Sequence, residues 1–496
     1  MSNVSTWIQN RIKEDQITKY LKDDGNDFIN EELIENAIEK NKNPEKSRIR
    51  EIISKSLSIE TLTFDETAAL LNVSDPQMWN EIEEAAGKIK RKVYDNRIIT
   101  FAPLYLSTKC VNGCVYCGLR SDNNNIQRGV LPLDIVKKET EVLAGKIGHK
   151  RLIVVFGEHP DSDTTYIADT IRTIYDVKVP TCSGGFGSIR RVNVNAAPLP
   201  IEDLRMLNDV GIGTYQVFHE TYHHATYRKL HPSNTLKGNY RWRLYCMHRA
   251  LEAGVDDVGI GALFGLYDWK FEVLGLLSHT IELERAFGIG AHTISFPRLE
   301  PAENTPFAKN SKYLVNDEDF RKAVTVLRLA VPYTGMILTA RENAAIRRKM
   351  IPLGITQIDA SSNVGLGAYS DSVSEQVSTR QQFILGDMRS LDEVVRDLAS
   401  MGLITSFCTA GYRCGRTGQC IMDLLRSGAE GKFCKLNAVL TYREWLDDFA
   451  STETKAAGEN IIKKEIEEIR QKMPNVYESF MNQYAKTSNG ERDLYF

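Results

Sequence analysis

The stretch RIITFAPLYLSTKCVNGCVYCGLRS (97–121) begins as a β-strand and ends as a metal-ligand motif, and the junction of the two sets the reading of the whole chain. Residues 97–106 are rich in β-branched, aromatic and aliphatic side chains, the composition of a strand. Directly after them stand Cys110, Cys114 and Cys117 in C-x3-C-x2-C spacing. Three thiolates this close can hold three irons of a 4Fe–4S cubane and leave the fourth iron without a protein ligand; a fourth cysteine would make a closed electron-transfer cluster. An open iron is a place for a small molecule to bind and receive an electron. A zinc knuckle competes with this reading, but zinc wants a fourth N or S ligand, and the next Cys or His along the chain is His149.

From Arg97 onward β and α patterns alternate. Strands are expected at 97–106, 151–158, 188–196, 214–220, 257–265, 292–299, 336–342 and 356–362, with helical patterns such as PLDIVKKETEVLAGKIG and WKFEVLGLLSHTIELERAFG between them. Eight such alternations predict an α/β fold, a (β/α)8 TIM-type barrel, in which chemistry collects at the C-terminal ends of the strands. Cys110 falls just past the first strand, Gly157 and Glu158 close the second, Glu220 the fourth, and Thr339, Arg341 and Glu342 the seventh. Polar strand ends are common, which accounts for part of this set and not for the cysteines. Upstream, DETAALLN and QMWNEIEEAAGKIKRKVYDN carry apolar residues at helical spacing. The chain divides into an N-terminal helical extension (1–95), a barrel (96–365) and a mainly helical C-terminal domain (366–496).

A chain of 496 residues exceeds one ordinary core, in keeping with a large barrel plus additions. With 62 basic against 65 acidic residues, no general attraction to nucleic acid is implied. The start lacks the basic and apolar pattern of a secretory signal, and no apolar run approaches a membrane span, so a cytoplasmic protein is expected. Nine cysteines, mostly clustered at metal-ligand spacing, point to a reducing compartment. Cys182 and Cys246 stand alone and read as small buried hydrophobes.

Longer runs carry a family resemblance. CVNGCVYCG, VVFGEHP, IRRVNVNAAPL, GIGTYQVFHETYH, HTISFPRLEPA, MILTARE, SFCTAGYRCGRTG and GERDLYF occur in the order seen in the radical SAM tyrosine lyases that mature FeFe-hydrogenases (HydG), and the chain more distantly resembles 2-iminoacetate synthase (ThiH). The resemblance implies a 4Fe–4S cluster on Cys110, Cys114 and Cys117 with S-adenosylmethionine on its open iron, Tyr116 beside the adenine, and Gly157 and Glu158 around the methionyl amine. It implies a deoxyadenosyl radical that acts on L-tyrosine, release of p-cresol and dehydroglycine, and carbon monoxide and cyanide formation at a second cluster. Arg341 would clamp the tyrosine carboxylate with its two-pronged guanidinium, and Thr339 would add a hydroxyl. The other reading of Arg341 is a buried ion pair with Glu342 or another barrel carboxylate. His279, within KFEVLGLLSH, would take a labile iron or else is simply packed; His219 is a candidate pocket residue, and His223 and His224 read as solvated. An electron donor such as ferredoxin or flavodoxin, and hydrogenase maturation proteins, are the implied partners.

The chain departs from the family where the second cluster would bind. The family pattern C-x2-C-x22-C reads here Cys408, Gly411 and Cys434, with Cys414 and Cys420 nearby. Glycine cannot hold iron. A cluster on Cys408, Cys434 and a relocated Cys414, loss of the cluster to leave a 2-iminoacetate synthase-like enzyme, and a different metal on some of these cysteines all remain open. The segment SSNVGLGAY (361–369) departs as well, which favours a divergent paralogue. A non-catalytic iron-binding paralogue is the alternative outside enzymes; a sulfur-inserting enzyme fits less well because of the MILTARE and QVFHETYH runs.

Overall fold

The computed structural model describes residues 3–181, 184–370, 376–427 and 430–496. Cys182 lies outside the described residues. Eight parallel strands form the barrel: β1 (Arg97–Ser107), β2 (Arg151–Phe156), β3 (Arg191–Asn195), β4 (Tyr215–Gln216), β5 (Val258–Gly261), β6 (Thr293–Ser295), β7 (Gly335–Leu338) and β8 (Gln357–Asp359). They pair in sequence order, and β8 closes on β1 through Ile99↔Gln357 and Phe101↔Asp359. Every expected strand is present, and β4 is much shorter than the expected 214–220. Its chain turns at Glu220, which takes φ 81° and keeps only an isolated bridge to Ala262.

A ninth strand, β9 (Ile404–Ser406), was not expected from the sequence. It pairs with the first residues of β1, Arg97↔Ile404 to Ile99↔Ser406, below the stretch where β8 pairs. β1 can take both partners along one edge because it is eleven residues long.

The N-terminal extension is helical, as its spacing predicts. The helix Pro76–Tyr94, capped by Asp75 accepting from the backbone N–H groups of Gln77 and Met78, buries Ile82, Ala86, Ile89 and Val93 and leads into β1. Past the barrel the helices Glu430–Asp448, Thr452–Lys472 and Pro474–Ser488 form the C-terminal part. No helix among the described residues is long and apolar enough to cross a membrane.

Candidate active site

The mouth of the barrel opens into a cavity of about 230 Å³ lined by Cys110, Cys114, Cys117, Tyr116, Gly157 and Glu158 on one side and by Thr339 and Arg341 on another. After Ser107 the chain leaves the sheet, and the Cys117 amide donates to the Cys114 carbonyl at 3.0 Å, which folds Cys117 back toward Cys114. Asn112 ties this loop to β2: its Nδ2 donates to Glu158 Oε2 at 2.6 Å and lies 3.6 Å from Cys110 Sγ, while its Oδ1 accepts from the Lys237 amide at 2.9 Å. Gln382 Nε2 donates to Cys117 Sγ at 3.5 Å. N–H groups aimed at sulfur suit thiolates bound to iron. Burial pushes the Cys110 thiol up and the Cys114 thiol up to about 12, so these sulfurs ionise when a metal replaces the proton. The donor set fits the cluster.

Glu158 is oriented for a cation. One carboxylate oxygen is held by Asn112 and the other, Oε1, is buried without a partner among the described residues. Burial raises its carboxyl, which an ammonium ligand would reverse. The preceding Gly157 is required by space, because a Cβ there would sit 2.1 Å from the Lys109 carbonyl oxygen. The Tyr116 hydroxyl lies 2.8 Å from His231 Nε2, and His231 Nδ1 lies 2.9 Å from the Tyr227 carbonyl. Burial keeps that imidazole neutral, so Nδ1 donates to the carbonyl and Nε2 accepts from Tyr116.

Two cations converge on Glu220, Lys237 Nζ at 2.6 Å and Arg243 Nη2 at 3.4 Å. Burial alone would raise the Glu220 carboxyl, and these two charges hold it below its ordinary value. Arg341 is different. Its half-buried guanidinium lies 3.5 Å over the centre of the Phe383 ring, and no hydrogen bond joins it to another described residue. Glu342 is taken by Arg298, whose Nε donates to it at 2.8 Å, so the Arg341–Glu342 ion pair is absent. Burial pushes Arg341 down, with Tyr105 and Glu300 pulling the other way. An unmatched, half-buried cation that lines the cavity together with Thr339, whose Oγ1 is buried without a partner, fits a carboxylate ligand.

The histidines lie in an aromatic cluster away from the three cysteines. His279 shares a 2.9 Å hydrogen bond with the Tyr222 hydroxyl and packs against Phe28 and His248. None of these contacts involves Cys408, Cys414 or Cys434; burial lowers its pKa to about 3, and its Nε2 is buried without a partner among the described residues. His219 does not line the cavity; it lies among the rings of Tyr222, Tyr227 and Tyr240. His223 stacks on Tyr267 at 3.9 Å, and His224 is held by Glu31 and Asp27, so neither is simply solvated.

Cys408 follows β9 beneath the barrel, where Arg151 Nη2 donates to its carbonyl at 3.2 Å. The Tyr412 hydroxyl donates to Asp257 at 2.7 Å, with the Arg191 guanidinium 3.7 Å from the Tyr412 ring centre. Cys408 and Cys434 are half-buried, whereas Cys414 and Cys420 are exposed. A Cβ at Gly411 would meet nothing nearer than the Arg416 carbonyl oxygen at 3.5 Å, so the position has room for a longer side chain.

With three cysteines at the mouth of a closed barrel, the comparisons with known proteins agree in kind. Residues 104–274 match the radical SAM superfamily, and residues 295–404 match the biotin and thiamin synthesis associated domain. The structure superposes on the crystal structure of HydG, a maturase of the FeFe-hydrogenase, with TM-score 0.89 and 45% identity over 95% of this chain and 100% of that one. The chain belongs to the HydG family. The HydG of Carboxydothermus hydrogenoformans matches with TM-score 0.75 and 34% identity, over 91% of this chain and 98% of that one. The 2-iminoacetate synthase of Salmonella typhimurium is 29% identical over 71% of this chain and 88% of its own length. As a radical SAM enzyme of the HydG family, the chain uses a 4Fe–4S cluster and S-adenosylmethionine.

Sequence reasoning did not single out Asn112, Lys237, Arg243, Gln216, Gln382 or Phe383. Asn112 lies inside CVNGC and Gln216 inside GIGTYQVFHETYH, and both could have been found there. The others are isolated polar or aromatic residues without a motif.

Proposed function

We propose that this HydG-family chain cleaves the Cα–Cβ bond of L-tyrosine, giving p-cresol and dehydroglycine, with a C-terminal cysteine site that is modified or lost. The observation that carries the proposal is Arg341, a half-buried guanidinium without an anion among the described residues, in the same cavity as the three cysteines. When bound, the cluster and S-adenosylmethionine supply a 5′-deoxyadenosyl radical. Cys110, Cys114 and Cys117 hold the cluster, and Glu158, Gly157 and Tyr116 position S-adenosylmethionine. Arg341 holds the substrate carboxylate through a bidentate fork with Thr339 beside it, fixing which hydrogen faces the mouth. Burial of the cavity excludes water from a reactive species. Electrons come from a ferredoxin or flavodoxin, in a reducing cytoplasm, and hydrogenase maturation proteins are the downstream partners.

Gly411 favours a second reading, a 2-iminoacetate synthase-like enzyme that releases dehydroglycine intact. Both readings share the tyrosine step. Anaerobically reconstituted protein given S-adenosylmethionine, reductant and tyrosine should form 5′-deoxyadenosine and p-cresol. Arg341→Lys should lower tyrosine use by about tenfold or more, because an ammonium cannot reproduce the fork. An unchanged rate in that variant would remove Arg341 from the carboxylate site, and deoxyadenosine formed with tryptophan but not tyrosine would overturn the substrate.

A further inference from the structure

The cavity ends on a layer of side chains that the proposed roles leave unused. In a closed eight-stranded barrel, alternate strands contribute the four inward side chains of each layer. Here Ile153 (β2), Gln216 (β4), Ser295 (β6) and Asp359 (β8) form one such layer, and all four line the cavity. Below it Phe101 and Ile337 pack with Ile153 into an apolar floor. Asp359 is engaged, accepting from the Ala340 amide at 2.7 Å and from the Ser362 hydroxyl at 2.6 Å.

Gln216 is not engaged. It is only 3% exposed, and no hydrogen bond joins its side-chain amide to another described residue. Its stem is braced by the β5 backbone, since a Cβ at Gly259 would come within 3.1 Å of Gln216 Cγ. Ser295 Oγ, in the same layer, is also buried without a partner. A buried polar group left unpaired costs about 1–3 kcal/mol, so Ser295 Oγ, with the unpartnered Gln216 amide bordering the cavity next to it, suits a polar group brought by a ligand.

The height of this layer suits the far end of a ligand held at Arg341. β7 ends at Leu338, level with Gln216, and Arg341 lies three residues on, in the turn closed by the Glu342 amide on the Thr339 carbonyl. With a rise of about 3.3 Å per residue and a strand tilt of about 36°, the two stand at most ~8 Å apart along the barrel axis. An aromatic amino acid held there by its carboxylate reaches its ring toward Gln216, and Pro103, Val155 and Phe218 supply apolar walls in between.

We infer that Gln216, with Ser295 beside it, receives the ring hydroxyl of an aromatic amino acid held at Arg341, and so sets selection of a hydroxylated over an unhydroxylated ring. The inference rests on the tyrosine reading above. A primary amide offers both an acceptor and donors to a phenol without burying a charge. A site built to bond a hydroxyl rejects the analogue that lacks it far more strongly than an apolar pocket does, because its own polar groups are then left unpaired.

The test is binding without turnover: equilibrium dialysis of reconstituted protein with S-adenosylmethionine and no reductant, using labelled L-tyrosine and L-phenylalanine. Wild type should prefer tyrosine by roughly 100-fold or more. Gln216→Leu should lower tyrosine affinity by about 30-fold and leave phenylalanine within about threefold, whereas Arg341→Lys should weaken both alike. Iron content and melting temperature report whether the variant is folded; if Gln216→Leu is not, Gln216→Asn and Ser295→Ala carry the same ratio test. A wild-type preference that survives these changes, or equal loss of both ligands, overturns the role of Gln216 and leaves the tyrosine reading standing. If wild type binds neither amino acid, both fall.

Discussion

At Gly157 the backbone passes so close to the Lys109 carbonyl that only hydrogen fits as a side chain. Gly157→Ala should push β2 away from the cysteine loop, with an overpacking penalty of about 1–3 kcal/mol. The three thiolates keep their places, so we expect bound iron to be retained while the response of the reduced cluster's electron paramagnetic resonance signal to S-adenosylmethionine is weakened about tenfold in affinity. A normal response would show that the close approach is incidental. Gly157, Glu158 and Arg341 were legible in the sequence because each sits in a run whose chemistry has few alternatives. Gln382 and Phe383 were not, because a lone polar or aromatic residue acquires a role only when barrel closure turns it toward the lumen. The Glu342 partner of the competing reading of Arg341 is taken by a residue distant in sequence, Arg298.

Among the elements, the eight barrel strands could be read from alternating patterns, and two features could not. β4 keeps two residues because Glu220 leaves the strand in a left-handed turn, and β9 is too short for periodicity to announce it. β9 leads into Cys408 and the short helix Ala410–Arg413, which contains Gly411. That helix has space for a thiol at Gly411, whereas Cys414 is exposed beyond its end. Recruiting Cys414 means ordering additional backbone at about 1–2 kcal/mol per residue. We therefore expect wild-type protein to make p-cresol with little carbon monoxide or cyanide, and Gly411→Cys to raise iron and sulfide from roughly one cluster per chain toward a second. Robust carbon monoxide from the unmodified chain, abolished by Cys414→Ala, would establish the relocated ligand instead.

On the scale of the molecule, the C-terminal helices are fastened to the barrel by buried charge. Glu444 Oε1 lies 2.5 Å from Arg190 and 3.4 Å from Lys150, and its Oε2 accepts from the Asp493 amide at 3.0 Å. Burial would raise this carboxyl, but the two cations win and bring it to about 2. A folded value below the unfolded one means the stabilisation is complete above about pH 4.3 and is lost as pH falls through about 2, an effect of roughly 3 kcal/mol. Glu444→Gln should melt below wild type at pH 7, with the gap narrowing between about pH 4.3 and pH 2; a gap independent of pH would rule out the charge as its source. One further consequence concerns synthesis. β1 finds its last partners, β8 and β9, about 260 and 300 residues downstream. At translation speeds of about 5–20 residues per second, one edge of this apolar strand waits roughly 15–60 s for cover. Arg97 at its start and Pro103 within it, the latter without an N–H to offer a neighbour, are residue types that blunt an open strand edge.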